Sequence, residues 1–364
     1  MEKIKLMSKN NVAVVYFDDM QIVGCIATVS CGKAITPLVT VRKDYSGIMD
    51  NVFADREEFK ATFSEVLTEM AAAVNRVPAV LYIGVPNQFC HVETQSSEIE
   101  FDRLTKVNKH HIQALWDDTQ FDTEHREVIA KKALYYKLEE YEDVLLDTIG
   151  VATVGVSMVA SVISVSNELR PLINSTAVTR LGFVDFDFVC LADAELFMIP
   201  EKDRDAGCSL IRSDFFSTSV ANIVGDGVTQ LSHFNIGMGH LVSEIADNFG
   251  LDYESARQLL LRATPTYEML LEETYTANGD TIPAGIFNEF IAKRINEFGN
   301  RLSNFDTARI VYLSGGNYDQ IYGVSSVLAN ICERRFYQCR DVLSGATAYP
   351  ENTVNALIRF VLPK

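Results

Sequence analysis

Positive charge is what this sequence has least of. Its 32 lysines and arginines face 49 aspartates and glutamates, a net charge of −17. That balance disfavours non-specific contact with nucleic acid or with an anionic membrane surface, and leaves basic protein partners compatible. Paired cysteines are missing too: the seven (Cys25, Cys31, Cys90, Cys190, Cys208, Cys332 and Cys339) are odd in number and form no CxxC. Most lie in apolar runs such as FVCLA, so buried free thiols in a reducing cytoplasm are expected. The first residues hold no apolar stretch of signal-peptide length, and no segment reaches membrane-spanning length without charges. Repeats and low-complexity tracts are not visible. With 48% hydrophobic and 22% charged residues, the chain reads as an ordinary soluble globular protein, long enough for two lobes.

Along the chain, VAVVYF and QIVGCIATVS predict a strand pair joined at Asp18-Asp19. Asp55 with Glu58 forms a capping box, and Phe59, Phe63, Val66, Leu67 and Met70 follow at helical spacing. AVLYIGVP predicts a further strand. From about 87 to 165 the texture becomes polar and charged, which predicts an inserted α+β subdomain with short strands around helices near 106–116 and 125–141. Helices at 168–181 and 191–199 follow. A strand, a small-residue turn and a second strand then occupy 207–227, closed by Gly225-Asp226-Gly227. Beyond it lie helices from about 238 to 249 (ended by Gly250) and from 253 to 262, a polar hairpin excursion at 264–282, and a helix whose first position is Pro283. RIVYLSGG predicts a buried strand before helices at 318–334 and 351–361.

The stretch GCSLIRSDFFSTSVANIVGDG organises the rest. It has the frame of a hairpin that wraps a nucleotide phosphate, a turn that normally exposes glycine N–H groups beside a metal-holding carboxylate. Here the tip is Arg212, Ser213, Asp214, Phe215 and Phe216. Together with HFNIGMGHLVSEIADNFGLDYESARQL and IVYLSGGNYDQIYGVSSVL, the order of elements resembles the superfamily of actin, heat-shock ATPases and sugar kinases. Within it, the sequence is most similar to divergent bacterial FtsA-like cell-division proteins. That resemblance implies an α/β, two-lobed actin-like (ribonuclease H-like) ATPase fold with an inserted small SHS2-type subdomain. The implied division is 1–86 and 166–190 in the first lobe, 87–165 inserted, 191–345 in the second lobe, and 346–364 as a closing helix packed on the first.

Carried over position by position, the family's metal-holding Asp falls on Tyr16 in the first loop and its glycine on Asp18. In the second loop the Asp falls on Arg212 and the Gly on Asp214. The family's Ala-Glu-x-Leu-Lys pattern reads Ala256-Arg257-Gln258-Leu259-Leu260, without the acid or the lysine. Carboxylates at Asp18 or Asp19 repel phosphates unless a metal intervenes. The implied cleft residues are Asp18, Asp19, Asp214, Ser217, Thr218, Gly237, Gly239, Gly315 and Gly316, a vestigial or weak nucleotide site with no catalytic set and no dedicated metal site. Cofactor dependence is not expected, and ATP or ADP with magnesium would bind weakly at most. Asp18 or Asp214 taking the metal in a shifted register is the competing account.

Adjacent His110 and His111 point apart on a helix and read as a solvated face. His233 and His240 flank the Gly-x-Gly turn and read as turn histidines. The acidic run 139–143 reads as a solvated face that could dock a basic partner. The resemblance thus implies a cytoplasmic pseudo-ATPase scaffold of a division or envelope-assembly machine, acting by self-association and by recruiting proteins, a tubulin-like division protein among them. Its place would be the division site or the membrane vicinity through partners, without a direct membrane anchor. The alternatives are an active FtsA-type ATPase and a PilM-like adaptor of type IV pilus assembly.

Overall fold

Two five-stranded sheets carry the chain, and they share one topology that the sequence conceals. A computed structural model describes residues 10–30, 34–119, 125–140, 144–176, 178–264, 274–277, 279–339 and 351–362. The first sheet has the order Ile35–Asp44, Gln21–Val29, Asn10–Phe17, Val80–Val85, Asp185–Cys190, and the second Gly227–Phe234, Thr218–Val224, Cys208–Ser213, Ile310–Ser314, Arg335–Gln338. In each, three antiparallel strands are followed by two parallel ones. The repeat is one of strand order.

Burial on both faces explains why the central strands are so apolar. Helix Arg56–Ala72, capped by Asp55 through the N–H groups of Glu57 and Glu58, lays Phe59, Phe63, Val66, Leu67 and Met70 on one face of the first sheet. Helix Glu351–Phe360 lays Val354, Leu357 and Ile358 against Val14, Tyr16, Val23 and Cys25 on the other. In the second sheet, Ile211, Val220, Val311 and Leu313 pack on helices Met238–Phe249 and Ala284–Leu302. Its opposite face, with Cys208, Leu210, Ala221, Ile223 and Tyr312, joins the core of the first lobe. The lobes therefore share a hydrophobic core.

Between strand Val80–Val85 and helix Leu169–Asn174 lies an α+β unit. Its sheet runs Cys90–Lys106, Ala152–Ser166, Arg126–Leu138, Val144–Leu145, with helix Lys109–Asp118 packed on it through Leu115. The helix expected at 125–141 is instead strand Arg126–Leu138, paired along its length with Ala152–Ser166. Its lysines, alanines and leucines favour a helix locally, and cross-strand pairing overrides that preference.

Other expectations shorten. The 168–181 helix is Leu169–Asn174 followed by a 3₁₀ turn Thr179–Leu181, and the 318–334 helix begins only at Val324, after Gly323. Pro283 ends strand Asp280–Pro283 and caps the next helix rather than starting it. That strand pairs with Thr274–Ala277 in the expected hairpin; residues 265–273 and 278, like 141–143 of the acidic run, lie outside the described residues. Among the described residues no helix is long and apolar enough to cross a membrane.

Candidate functional site

Strand Cys208–Ser213 lies at the centre of its sheet, and every residue of it is buried, including Arg212, which is wholly inaccessible to solvent. A guanidinium cannot be held there without anions. Two converge on it. Glu195, at the end of helix Leu191–Glu195, which packs on the first sheet through Leu191 and Ala194, pairs with Nη1. Asp214, from the turn that follows, takes a hydrogen bond from Nε at 3.2 Å. Its Oδ1 lies 2.9 Å from Nη2, a close ionic contact rather than an aligned hydrogen bond. Glu195 also accepts from Ser314 Oγ at 2.7 Å and from Thr353 Oγ1 at 2.8 Å. One buried cation thus joins that helix, strands Cys208–Ser213 and Ile310–Ser314, and the closing helix. Burial pushes the Asp214 carboxyl well above the usual carboxylate range, Arg212 opposing the rise and Asp19 and Asp18 adding to it.

Asp19 sits at the turn between strands Asn10–Phe17 and Gln21–Val29, and its side chain reaches across to the second lobe. Oδ2 accepts from the N–H groups of Phe216 (2.9 Å) and Ser217 (2.8 Å) and from Ser217 Oγ (2.9 Å). Oδ1 accepts from Gln88 Nε2 at 2.8 Å. Burial raises its pKa to about 6, offset by the Phe216 N–H, with neighbouring Asp18 adding to the rise and Ser217 opposing it. Asp18 does a different job: its Oδ1 accepts from the N–H groups of Met20 and Gln21, an Asx-type turn that closes the hairpin.

Phe215 covers the start of helix Met238–Phe249. Its carbonyl accepts from Gly239 N–H at 2.7 Å, and its ring lies where a side chain on Gly239 would go, 2.5 Å from the ideal Cβ position. Phe215 also meets Phe216 and Tyr253 in an aromatic cluster, and Phe216 meets His240 edge to face. Gly237 caps the same helix, with His240 Nδ1 accepting its N–H.

All nine residues singled out from sequence border this hairpin turn or the loops that meet it. Ser217 shares the Asp19 network, while Thr218 donates its hydroxyl to Ile236 O at 2.6 Å. Gly315 has φ of 104°, and a Cβ there would collide with the Ser213 carbonyl oxygen, a position that demands glycine; Gly316 continues the turn. His233 Nε2 contacts Asn51 Nδ2 at 2.9 Å. Sequence reasoning missed Glu195, Gln88, Asn87 and Thr353. Glu195 had a signal, one of two acids (with Asp193) inside the otherwise apolar run LADAELFM.

The arrangement does not fit a bound magnesium nucleotide. The backbone donors that would meet a phosphate are taken by a carboxylate, the Gly239 N–H is taken by a carbonyl, and the acids are committed to Arg212 or to turn N–H groups. Among the described residues no three His, Cys, Asp or Glu side chains are arranged to hold a metal ion.

No protein-family model matches the chain, and no curated protein sequence does. Its fold is matched by solved structures. The PilM–PilN type IV pilus biogenesis complex aligns at 13% identity, covering 98% of this chain and all of that one, with a TM-score of 0.60. MreB5 of Spiroplasma citri bound to AMPPNP aligns at 8% identity over 97% and 96% of the chains, TM-score 0.55. The ethanolamine utilization protein EutJ from Carboxydothermus hydrogenoformans aligns at 10% over 98% and 91%, TM-score 0.52. At such identities the likeness establishes the fold, which is the actin-like ATPase fold, and nothing further.

Proposed function

We propose that this actin-like chain is a scaffold or adaptor that works through protein partners, without nucleotide turnover, in a bacterial division or envelope-assembly machine. The observation that carries the reading is the Asp19 carboxylate seated on the N–H groups of Phe216 and Ser217, at the turn where a nucleotide phosphate would need them. Repulsion between that carboxylate and a phosphate opposes binding. The buried Arg212 cluster and the Phe215 ring over Gly239 leave the neighbouring ground equally committed.

Partners suit the remaining features. PilM was solved as a complex with PilN. In this chain the inserted unit at 87–165 is the candidate recruiting surface, and the net charge of −17 favours basic partners. A PilM-like adaptor of pilus assembly is the second reading, motivated by end-to-end coverage of that neighbour. Cytoplasmic placement, self-association and recruitment of a tubulin-like division protein belong to the first.

The test is thermal unfolding with and without millimolar Mg-ATP or Mg-ADP. No shift is expected. A nucleotide present at 100 times its dissociation constant would stabilise the chain by about 2.7 kcal/mol, and a melting rise of that size would replace this reading with a nucleotide-dependent one. Capture of crosslinked partners in cells, lost on reversing exposed charges of the inserted unit (Glu98→Lys with Glu100→Lys) while the melting temperature is kept, separates recruitment from a purely structural role.

A further inference from the structure

The most complete set of convergent donors among the described residues surrounds one of the chain's own side chains. Phe216 N–H, Ser217 N–H, Ser217 Oγ and Gln88 Nε2 all point at the Asp19 carboxylate, which is fully buried. Successive N–H groups in a tight turn, supplemented by a hydroxyl and an amide, form an anion-binding nest. Such nests accept oxyanions generally, and the occupant here is covalently attached.

Asp19 is also held ready. Its own carbonyl accepts from Ile48 N–H at 3.0 Å, and the Tyr45 hydroxyl donates to Asp18 O at 2.5 Å, so segment 45–48 fixes the turn that presents the carboxylate. Because Asp19 lies between two strands of the first sheet and Phe216 and Ser217 between two strands of the second, the contact spans the cleft. Other ties run beside it: Asn87 Nδ2 donates to Ser219 Oγ at 2.8 Å while its Oδ1 accepts from Ala192 N–H, and Asn235 Nδ2 donates to Asp50 Oδ1 at 2.5 Å.

We propose that Asp19 is a tethered anion that occupies the hairpin nest and latches the two lobes closed, an autoinhibitory contact that hides a latent site for a tetrahedral oxyanion. The inference rests on the nucleotide-independent reading above and adds to it the agent that keeps the site shut. Geometry supplies the specificity: a short acid at this one turn reaches two backbone donors in the other lobe. A tethered ligand also has a high effective concentration, so a free anion at ordinary concentration competes poorly with it.

The experiment uses the full chain with Asp19→Ala and Asp19→Asn, read by amide hydrogen exchange and amide resonances of Phe216 and Ser217. In Asp19→Ala these two amides should exchange about tenfold faster or more, as charge-assisted hydrogen bonds are lost. Inorganic phosphate, but not chloride at equal ionic strength, should restore protection. Adding Mg-ADP in a separate arm distinguishes free phosphate from a nucleotide phosphate as the preferred occupant. If Asp19→Ala does not fold, Asp19→Asn retains an acceptor without the charge, and its Phe216 and Ser217 resonances should move with phosphate while those of the natural chain stay fixed. Variants that fold and ignore phosphate, beside an inert natural chain, overturn the latch and leave the proposed function standing. A natural chain that itself responds to phosphate overturns the latch, and one stabilised by Mg-ATP overturns the function reading.

Discussion

Arg212 shows how a single buried cation organises a cleft. With Glu195 and Asp214 both buried against it, removing the cation strands two carboxylates in an apolar setting. Arg212→Met is therefore expected to destabilise the chain by about 3–5 kcal/mol in urea unfolding, the range seen when one member of a buried pair is deleted. Arg212→Met with Glu195→Gln should recover part of the loss, and equal damage from both variants would count against the pairing.

Asp19 adds a pH dependence whose sign follows from its raised pKa. The folded state holds a proton up to about pH 6, against 3.8 for the free group, so its contribution is complete at low pH and is lost as pH rises through 6. Burial sets this, with neighbouring Asp18 adding to it and the Phe216 and Ser217 donors opposing it. Between pH 4 and 7 the natural chain should lose up to about 3 kcal/mol relative to Asp19→Asn, measured as the difference in urea midpoints. Parallel profiles for the two proteins would refute the assignment. At this scale much was readable: Arg212, Asp214 and Phe215 stand where the resembled family has other chemistry. The partner Glu195 was not, because it lies on another element and only topology brings it near. The Asp19 carboxylate read as a repeller of phosphate, while its use as the occupant of the nest depends on a contact 198 residues away.

Among elements, helix Met238–Phe249 illustrates a close fit around a glycine. The Phe215 ring fills the space over Gly239, 2.5 Å from where a Cβ would stand. Gly239→Ala should cost roughly 1–3 kcal/mol by overpacking. In a Phe215→Ala background the same change should be close to neutral, and a double-mutant cycle with no coupling would show that the ring and the glycine do not meet. Strand Arg126–Leu138 marks the limit of reading elements locally. Its text REVIAKKALYYKL carries both periods, and what decides is the neighbouring strand Ala152–Ser166, whose alternation of small and β-branched residues offers a pairing surface along its whole length.

For the whole molecule, the shared strand order of the two lobes and their common core predict cooperative behaviour. Strand Ala152–Ser166 passes through two cores: Met158 and Ala160 pack beneath the inserted helix, while Ile163 and Val165 join the core shared by the lobes. One strand cannot lose its lower half and keep the pairing of its upper half without exposing both. The single tryptophan, Trp116, packs against the inserted core and reports on that unit alone, whereas far-ultraviolet circular dichroism reports on every sheet. The two signals should therefore change together in denaturant, as a single transition requires. Ile163→Ala, a cavity placed in the shared core, should lower the Trp116 midpoint by the equivalent of about 2–5 kcal/mol although it lies in the other core. A Trp116 transition that splits from the dichroism and ignores Ile163→Ala would mean that the inserted unit folds independently. A rigid coupling from cleft to insert would then be ruled out.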